Sequence, residues 1–122
     1  MDYMNFVILM GRLTADPEIT DYGDFSVINY TIAVSRNYTK RDGTRDTDFI
    51  DCREVDNSEN RKRANFYKTY PKKGDAVSVQ GSWQIDIYDD KEGKRIWRHF
   101  CRVRTFKFCG SNRRDDQSNV DS

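Results

Sequence analysis

The chain has 122 residues and a mass of 14.4 kDa, enough for one domain with a modest core. Charged residues make up 34% of it, and no apolar run approaches the roughly 18 residues that a transmembrane helix needs. The amino-terminus lacks the basic and apolar stretches of a secretory signal. Three widely spaced cysteines do not make a disulfide framework and suit a reducing cytosol. We therefore expect a cytoplasmic protein without membrane association.

The net charge of +1 hides an uneven distribution along the chain. Residues 1–35 have a net charge of −4, and residues 115–122 have a net charge of −3. Residues 36–114 carry 20 Lys and Arg against 12 Asp and Glu, a net charge of +8. A basic central region indicates a polyanionic partner. The alternative is an ordinary solvated surface of mixed charge, which charge counts alone favour.

The first half of the chain predicts three strands. Residues 6–10 are a short apolar run that predicts a strand buried on both faces. Residues 14–24 predict a loop, and residues 25–35 predict a second strand with alternating apolar positions. Its inward side chains are expected to be Ile28, Tyr30, Ile32 and Val34. Residues 49–55 predict a third strand, which an Asp42-Gly43 turn joins to the second as a long hairpin.

One helix is predicted over residues 61–70. Asp56, Asn57 and Ser58 are candidate N-caps, and Pro71 stops the helix. Phe66 and Tyr70 are four residues apart, and Tyr67 and Tyr70 are three apart, so both pairs fall on one helical face.

Two long strands and a polar tail are predicted after the helix. The fourth strand has its apolar side chains at odd positions and a bend or bulge at Gly81. We expect a long half-buried strand whose inward face carries these odd positions: Val77, Val79, Gly81, Trp83, Ile85 and Ile87. A charged hairpin loop leads to the last strand, residues 96–108, and residues 111–122 predict a disordered polar and acidic tail.

Three strands, a helix and two strands, in that order, predict an all-β OB-fold, a five-stranded Greek-key barrel with its helix between strands 3 and 4. The domain is expected to span residues 1–110.

Aromatic side chains on polar faces are the main functional signal. Phe49 shares a face of its strand with Asp51, and Tyr88 shares a face of its strand with Asp86. Tyr38 lies in the charged hairpin between the second and third strands. Exposed rings beside basic loops are typical of surfaces that stack unpaired bases. The alternative is that each ring covers a barrel edge or an interface.

Residues 5–18, Asn-Phe-Val-Ile-Leu-Met-Gly-Arg-Leu-Thr-Ala-Asp-Pro-Glu, resemble the opening of bacterial single-stranded DNA-binding proteins. Five more segments look like the family's second strand, third strand, helix exit, fourth strand and last loop: residues 28–35, 48–52, 70–74, 79–81 and 92–95. The resemblance runs from about Asn5 to Phe108.

The resemblance implies a homotetramer of OB-folds that wraps single-stranded DNA in replication, recombination and repair, without enzymatic activity, cofactor or metal. It implies a cytoplasmic, nucleoid-associated location. The family's stacking positions fall on Tyr38, Phe49 and Tyr88. Phosphate contacts are expected from nearby loop bases: Arg36, Lys40, Arg41, Lys72, Lys73, Lys94 and Arg95.

Several departures from the family pattern bear on affinity. Val55 stands where a fourth stacking aromatic is usual, and acidic residues 56–59 replace a basic stretch. Asp51, Gln84 and Asp86 stand where the family often has basic or small polar residues. These departures predict weaker binding, or a DNA path closer to the loops around Lys40, Lys72, Lys73 and Arg95.

The family's acidic tail with an apolar tip recruits replication and repair enzymes. Residues 115–122 are acidic but lack that tip. Either the sequence is truncated, or this member does not recruit partners in that way. A plasmid, phage or conjugative-element version of the family would fit the second case.

Other function classes fit less well. His99 and Cys101, with Cys52 or Cys109, lack metal-site spacing and are expected to be buried or half-buried strand residues. A nuclease would need clustered acidic residues, whereas the acidic residues of this sequence lie in predicted loops and mostly neighbour bases. The main alternative is a protein-contacting OB-fold relative such as a primosomal replication protein, often a dimer. A sheet-edge interaction protein without DNA binding is the third class.

Overall fold

The structure, a computed structural model, describes residues 3–110, so the predicted tail at 111–122 lies outside the described residues. Within 3–110 there are six strands and one helix. They are β1 Val7–Leu13, β2 Glu18–Asp21, β3 Ser26–Ser35, β4 Thr47–Asp56, α1 Lys62–Thr69, β5 Ala76–Asp89 and β6 Arg95–Phe108. The five predicted strands and the helix are confirmed as β1, β3, β4, β5, β6 and α1.

The predicted loop at residues 14–24 was wrong in part, because it contains β2. This strand is four residues long and pairs with the first half of β3, Glu18 opposite Asn29 and Asp21 opposite Ser26. Its sequence has too few apolar residues to show a strand period, so hydrogen bonding to β3 decides its conformation.

Strand pairing closes the sheet into a barrel. The strand order is β1-β5-β6-β4-β3-β2, and β1 also pairs with β3. Because β1 pairs with β5 on one side and with β3 on the other, five strands, β1, β3, β4, β5 and β6, form a closed ring. β2 is added to the sheet beside β3. The helix lies between β4 and β5 in the chain. This arrangement confirms the predicted OB-fold.

Two predicted turn and bulge features are confirmed. β3 and β4 pair along ten residues, from Ser26–Asp56 to Ser35–Thr47, and Gly43 turns with a φ of 88°. The β5–β6 register shifts between Gln80 and Gly81. A Cβ at Gly81 would lie 2.0 Å from the carbonyl oxygen of Arg102, so only glycine fits at this close approach of two strands.

The core lies between the barrel strands and α1. The alternation predicted for the second strand is confirmed, since Ile28, Tyr30 and Ile32 are buried and Val34 packs partly against them. From the helix, Tyr67 is buried at 2% exposure and its ring stacks on that of Tyr30, with centroids 5.4 Å apart.

A buried carboxylate lies beside these two tyrosines. Glu54 is 2% exposed, accepts hydrogen bonds from the hydroxyls of Tyr30 and Tyr67, and pairs with Arg63. Burial and the Glu54 charge raise the pKa of Tyr67 well above its ordinary 10.0. Burial also raises the pKa of Tyr30, so both phenols stay protonated and donate to the carboxylate.

The predicted N-caps of the helix were wrong. The N-cap is Arg61, with a φ of 51° and no side-chain cap of its own. Asp56 instead reaches across the turn, and its Oδ2 accepts a hydrogen bond from the backbone N–H of Ala64 at 2.9 Å. The four residues between Asp56 and Arg61, residues 57–60, form a turn that the local sequence pattern does not reveal. On the helix, Tyr67 is buried, whereas the C-cap residue Tyr70 is 53% exposed with its ring against Phe66.

The prediction that residues 6–10 are buried on both faces was wrong. Val7 and Leu9 pack partly against the core, but Phe6, Ile8 and Met10 are 63%, 60% and 64% exposed. A barrel strand has one inward face, and nothing in the described chain covers the outward face of β1.

The inward positions predicted at Ile85 and Ile87 were also wrong, since they are 48% and 57% exposed. The β5–β6 hairpin continues past the end of the core, so its apolar alternation has no interior to face there. His99 pairs with Ile85 on this hairpin and is exposed rather than half-buried, whereas Cys101 is fully buried. The described residues contain no helix with the length and hydropathy of a membrane span.

Candidate nucleic-acid interface

Phe49 projects from the outer face of the barrel. It pairs with Ala33 of β3, which in turn pairs with Arg12 of β1. Side chains of directly paired antiparallel residues lie on the same face, so these three form a row across the sheet. Phe49 is 68% exposed, which confirms its predicted position on a solvent face.

Tyr88 and Tyr38 lie on the two hairpins. Tyr88 is 48% exposed near the end of β5, opposite Ile96 of β6. Tyr38 is 55% exposed in the loop between β3 and β4, where its hydroxyl donates to Asp46 at 3.4 Å. All three predicted stacking rings are thus exposed, on three separate segments of the chain.

The β3–β4 loop contains three of the predicted phosphate-binding bases. Arg36 pairs with Asp48 at 2.9 Å and Lys40 pairs with Asp46 at 3.0 Å, whereas Arg41 is exposed. The hydrogen bond from Arg36 lowers the pKa of Asp48. Bonds to Asp48 and Tyr38 raise the pKa of Arg36. These pairs hold the loop in shape and partly neutralise two of its bases.

The other four predicted bases lie at two further places. Lys94 and Arg95 are at the tip of the β5–β6 hairpin, near Tyr88, and Arg95 pairs with Asp89 at 3.5 Å. Lys72 and Lys73 are exposed in the turn before β5. The predicted bases are therefore spread over three loops rather than gathered in one cluster.

The turn before β5 also contacts the row that contains Phe49. Arg12 donates from Nη1 to the carbonyl oxygen of Gly74 at 2.8 Å, and the backbone N–H of Lys73 donates to Asp16 at 2.7 Å. Arg12 was not predicted as a site residue, because only the strand register shows that it shares a face with Phe49.

Two arginines on the sheet were also not predicted as site residues. Arg53 of β4 pairs with Asp86 of β5 at 3.2 Å, and Arg98 of β6 pairs with Asp51 of β4 at 3.5 Å. Arg53 also lies over the ring of Phe100, 4.3 Å from its centroid. The alternation of arginines with apolar residues in the last strand was the signal that could have revealed Arg98.

Val55, which stands where a fourth stacking aromatic is usual, is half-buried. It lines a shallow depression together with Arg63, Arg102 and Arg104. Three arginines thus line the depression beside Val55, and one of them, Arg63, pairs with Glu54.

Among residues 3–110, no three His, Cys, Asp or Glu side chains are grouped so as to hold a metal ion. His99 Nδ1 accepts a hydrogen bond from Trp83 Nε1 at 3.0 Å. A hydrogen bond with Cys101, together with burial, raises the pKa of Cys52, so this thiol stays protonated.

The fold is similar to that of a solved Plasmodium falciparum SSB in complex with single-stranded DNA. The TM-score is 0.76 at 19% sequence identity, and the match covers 90% of this chain and 98% of the other. This likeness supports the OB-fold.

Curated relatives share more of the sequence. A single-stranded DNA-binding protein of Halalkalibacterium halodurans is 37% identical over 123 residues, covering 98% of this chain and 70% of the relative. Single-stranded DNA-binding protein 1 of Staphylococcus aureus is 38% identical over 95 residues, covering 77% of this chain and 54% of the relative. Single-stranded DNA-binding protein 2 of Listeria innocua is 41% identical over 96 residues, covering 77% of this chain and 57% of the relative. The chain spans little more than half the length of the last two relatives.

The family model described as the single-strand binding protein family matches residues 4–109, almost all of the described chain. Together with relatives of more than 30% identity, this match shows that the chain belongs to the single-strand binding protein family.

Proposed function

We propose that this chain binds single-stranded DNA with little sequence preference. The observation that carries the proposal is the ring of Phe49, 68% exposed on the outer sheet face of a member of this family. Every base has a π-face, so an exposed ring stacks on any of them, at roughly 1–3 kcal/mol per base.

In this proposal three aromatic rings each stack on a base of the DNA. Phe49 provides a platform on β4, Tyr88 a second on the β5–β6 hairpin, and Tyr38 a third in the β3–β4 loop. A DNA strand that follows all three crosses the outer face of the sheet. The exposure of each ring supports this path, because a stacked base needs one free ring face.

Loop bases contact the phosphates. Arg41, Lys72, Lys73 and Lys94 are exposed and form no ion pair within residues 3–110. Arg36, Lys40 and Arg95 each pair with an aspartate. In this proposal each of them binds a phosphate once that aspartate is partly displaced. Lys and Arg contacts of this kind make binding dependent on salt.

The cellular role that goes with this activity is protection of exposed strands during replication, recombination and repair, without catalysis, in the cytoplasm and at the nucleoid. We further propose self-association, as a tetramer. Phe6, just before β1, and Ile8 and Met10 of β1 support it, because apolar side chains exposed together favour a protein contact.

A protein-contacting OB-fold role is the second candidate. Two observations favour it: Val55 in place of a stacking ring, and the aspartates that neutralise Arg53 and Arg98. Such a protein would bind oligonucleotides poorly even at low salt.

Titration with oligo-dT of graded length, followed by intrinsic Trp and Tyr fluorescence at low and high salt, tests the proposal. We expect quenching, submicromolar affinity and a log–log salt slope of about −0.7 per phosphate neutralised. The length dependence reports how many barrels share one strand. Weak binding at every length and salt concentration would contradict DNA binding and favour the protein-contacting role.

A further inference from the structure

Two ion pairs lie on the sheet face between the aromatic positions. Arg53 of β4 pairs with Asp86 of β5, and Arg98 of β6 pairs with Asp51 of β4. Resting on the proposed DNA-binding function, we propose that Arg53 and Arg98 contact phosphates of bound single-stranded DNA. Asp51 and Asp86 are then internal competitors that the DNA must displace from these arginines.

Strand geometry puts the pairs on the path between two stacking rings. Asp51 is two residues after Phe49 on β4, and Asp86 is two residues before Tyr88 on β5. Because side chains alternate along a strand, each aspartate lies on the same face as its aromatic neighbour. β6 lies between β4 and β5 in the sheet, so Arg98 is in the middle of this face. A DNA strand stacked on both rings has to cross these pairs.

Both pairs are at least partly exposed to solvent. The side chains of Arg98 and Asp51 are 45% and 43% exposed, and those of Arg53 and Asp86 are 25% and 50% exposed. Exposed ion pairs are weak because water screens them and two long side chains must be held in place. A phosphate oxygen can therefore replace the carboxylate, and it suits the planar guanidinium equally well.

Other contacts keep two of these groups in position during the exchange. Arg53 lies over the Phe100 ring at 4.3 Å, and its Nε donates to Asn29 at 3.4 Å. Asp51 accepts a hydrogen bond from the hydroxyl of Thr31 at 3.0 Å. Arg53 therefore keeps its position when its ion pair with Asp86 breaks. Asp51 keeps its hydrogen bond from Thr31 when its ion pair with Arg98 breaks.

This exchange has two measurable consequences. The affinity for single-stranded DNA is lower than it would be if the two arginines had no aspartate partner, because each arginine must first release its carboxylate. The salt dependence is also shallower, because the released aspartate takes up a cation as the phosphate loses one.

The test compares Asp51→Asn and Asp86→Asn with Asp24→Asn in the full chain. Asp24 lies in the exposed turn between β2 and β3, so its replacement makes the same charge change away from the site. We expect each site variant to bind oligo-dT about two- to fivefold more tightly, the range set by an exposed ion pair. The log–log salt slope should steepen by up to about 0.7 per arginine released. Asp24→Asn should change neither quantity to that extent.

Arg98→Gln gives an independent measurement. Alone, it should weaken oligo-dT binding, and in the Asp51→Asn background it should abolish the gain. Site variants that bind no more tightly than Asp24→Asn, or a gain that persists without Arg98, would overturn the inference. If Asp51→Asn fails to fold by its melting curve, unchanged affinity in Arg98→Gln overturns the Arg98 part. If the unmodified chain does not bind oligo-dT at low salt, the proposed function itself fails. If it binds but the variants show no gain, only this inference fails.

Discussion

The carboxylate of Asp56, the last residue of β4, accepts a hydrogen bond from the backbone N–H of Ala64 in the first turn of α1, at 2.9 Å. A residue eight positions earlier thus satisfies a helix N–H that a local cap would normally satisfy. The bond fixes where the helix begins relative to the barrel wall, and therefore how Tyr67 enters the core.

Asp56→Ala should lower the free energy of unfolding by about 1–2 kcal/mol, the cost of losing a cap. Desolvation acts to raise the pKa of Asp56, but hydrogen bonds from Ser58 and Ala64 outweigh it, and the pKa lies below the usual 3.8. The stabilisation is therefore present above pH 3.8 and lost as the pH falls through the lower folded value. Urea unfolding from pH 7 to pH 2 measures it, with Asp24→Ala as the control. A difference that stays constant down to pH 2 would contradict the role of the charge.

Tyr67→Phe should alter the response to alkaline pH. Burial and the Glu54 charge raise the pKa of Tyr67, so above pH 10 the unfolded chain releases a proton that the folded chain keeps. Stability falls from pH 10 upward for that reason. The Phe variant should lose about 1–2 kcal/mol at pH 7, because the buried carboxylate loses a donor.

Above pH 10 the stability of Tyr67→Phe should fall less steeply than that of the unmodified chain. Denaturant unfolding between pH 8 and pH 11.5 gives both slopes, and Tyr38→Phe, at an exposed tyrosine, is the matched control. Parallel slopes for all three proteins would show that Tyr67 ionises normally.

Phe49→Ala and Tyr88→Ala should each weaken oligo-dT binding by roughly 1–3 kcal/mol, because each removes one stacking platform. The melting temperature should change little, since both rings are exposed. Ile87→Ala is the control, because Ile87 is exposed on the opposite face of the same hairpin as Tyr88. Fluorescence titration or calorimetry measures the affinities. Equal losses in all three variants would argue against stacking.

Gly81→Ala should destabilise the barrel by about 2–3 kcal/mol, the cost of forcing an atom into a packed site. The new Cβ would lie 2.0 Å from the carbonyl oxygen of Arg102, so β5 and β6 must separate at the bulge. Ser78→Ala, on the same strand, should stay within about 0.5 kcal/mol of the unmodified chain. Thermal melting gives the comparison, and a Gly81→Ala protein of unchanged stability would mean that the bulge yields freely.

The candidate site could be predicted in part. Phe49 and Tyr88 were found because strand alternation is a local property, and each shares its parity with charged neighbours. Arg12, Arg53 and Arg98 were missed, since their relation to the rings depends on which strand lies beside which. The partners of Asp51 and Asp86 come from other strands for the same reason.

Local sequence pattern was enough to predict the order of five strands and the helix, the hairpin turn at Asp42-Gly43, the bulge at Gly81 and the exposure of Phe49 and Tyr88. Each of these depends on side-chain period or on the freedom of a glycine, which act within a few residues. The formation of β2, the exposure of one apolar face of β1 and the position of Ile85 and Ile87 beyond the core follow from the folded barrel. Burial and strand pairing depend on what lies opposite a residue, and barrel closure brings those partners from distant parts of the chain.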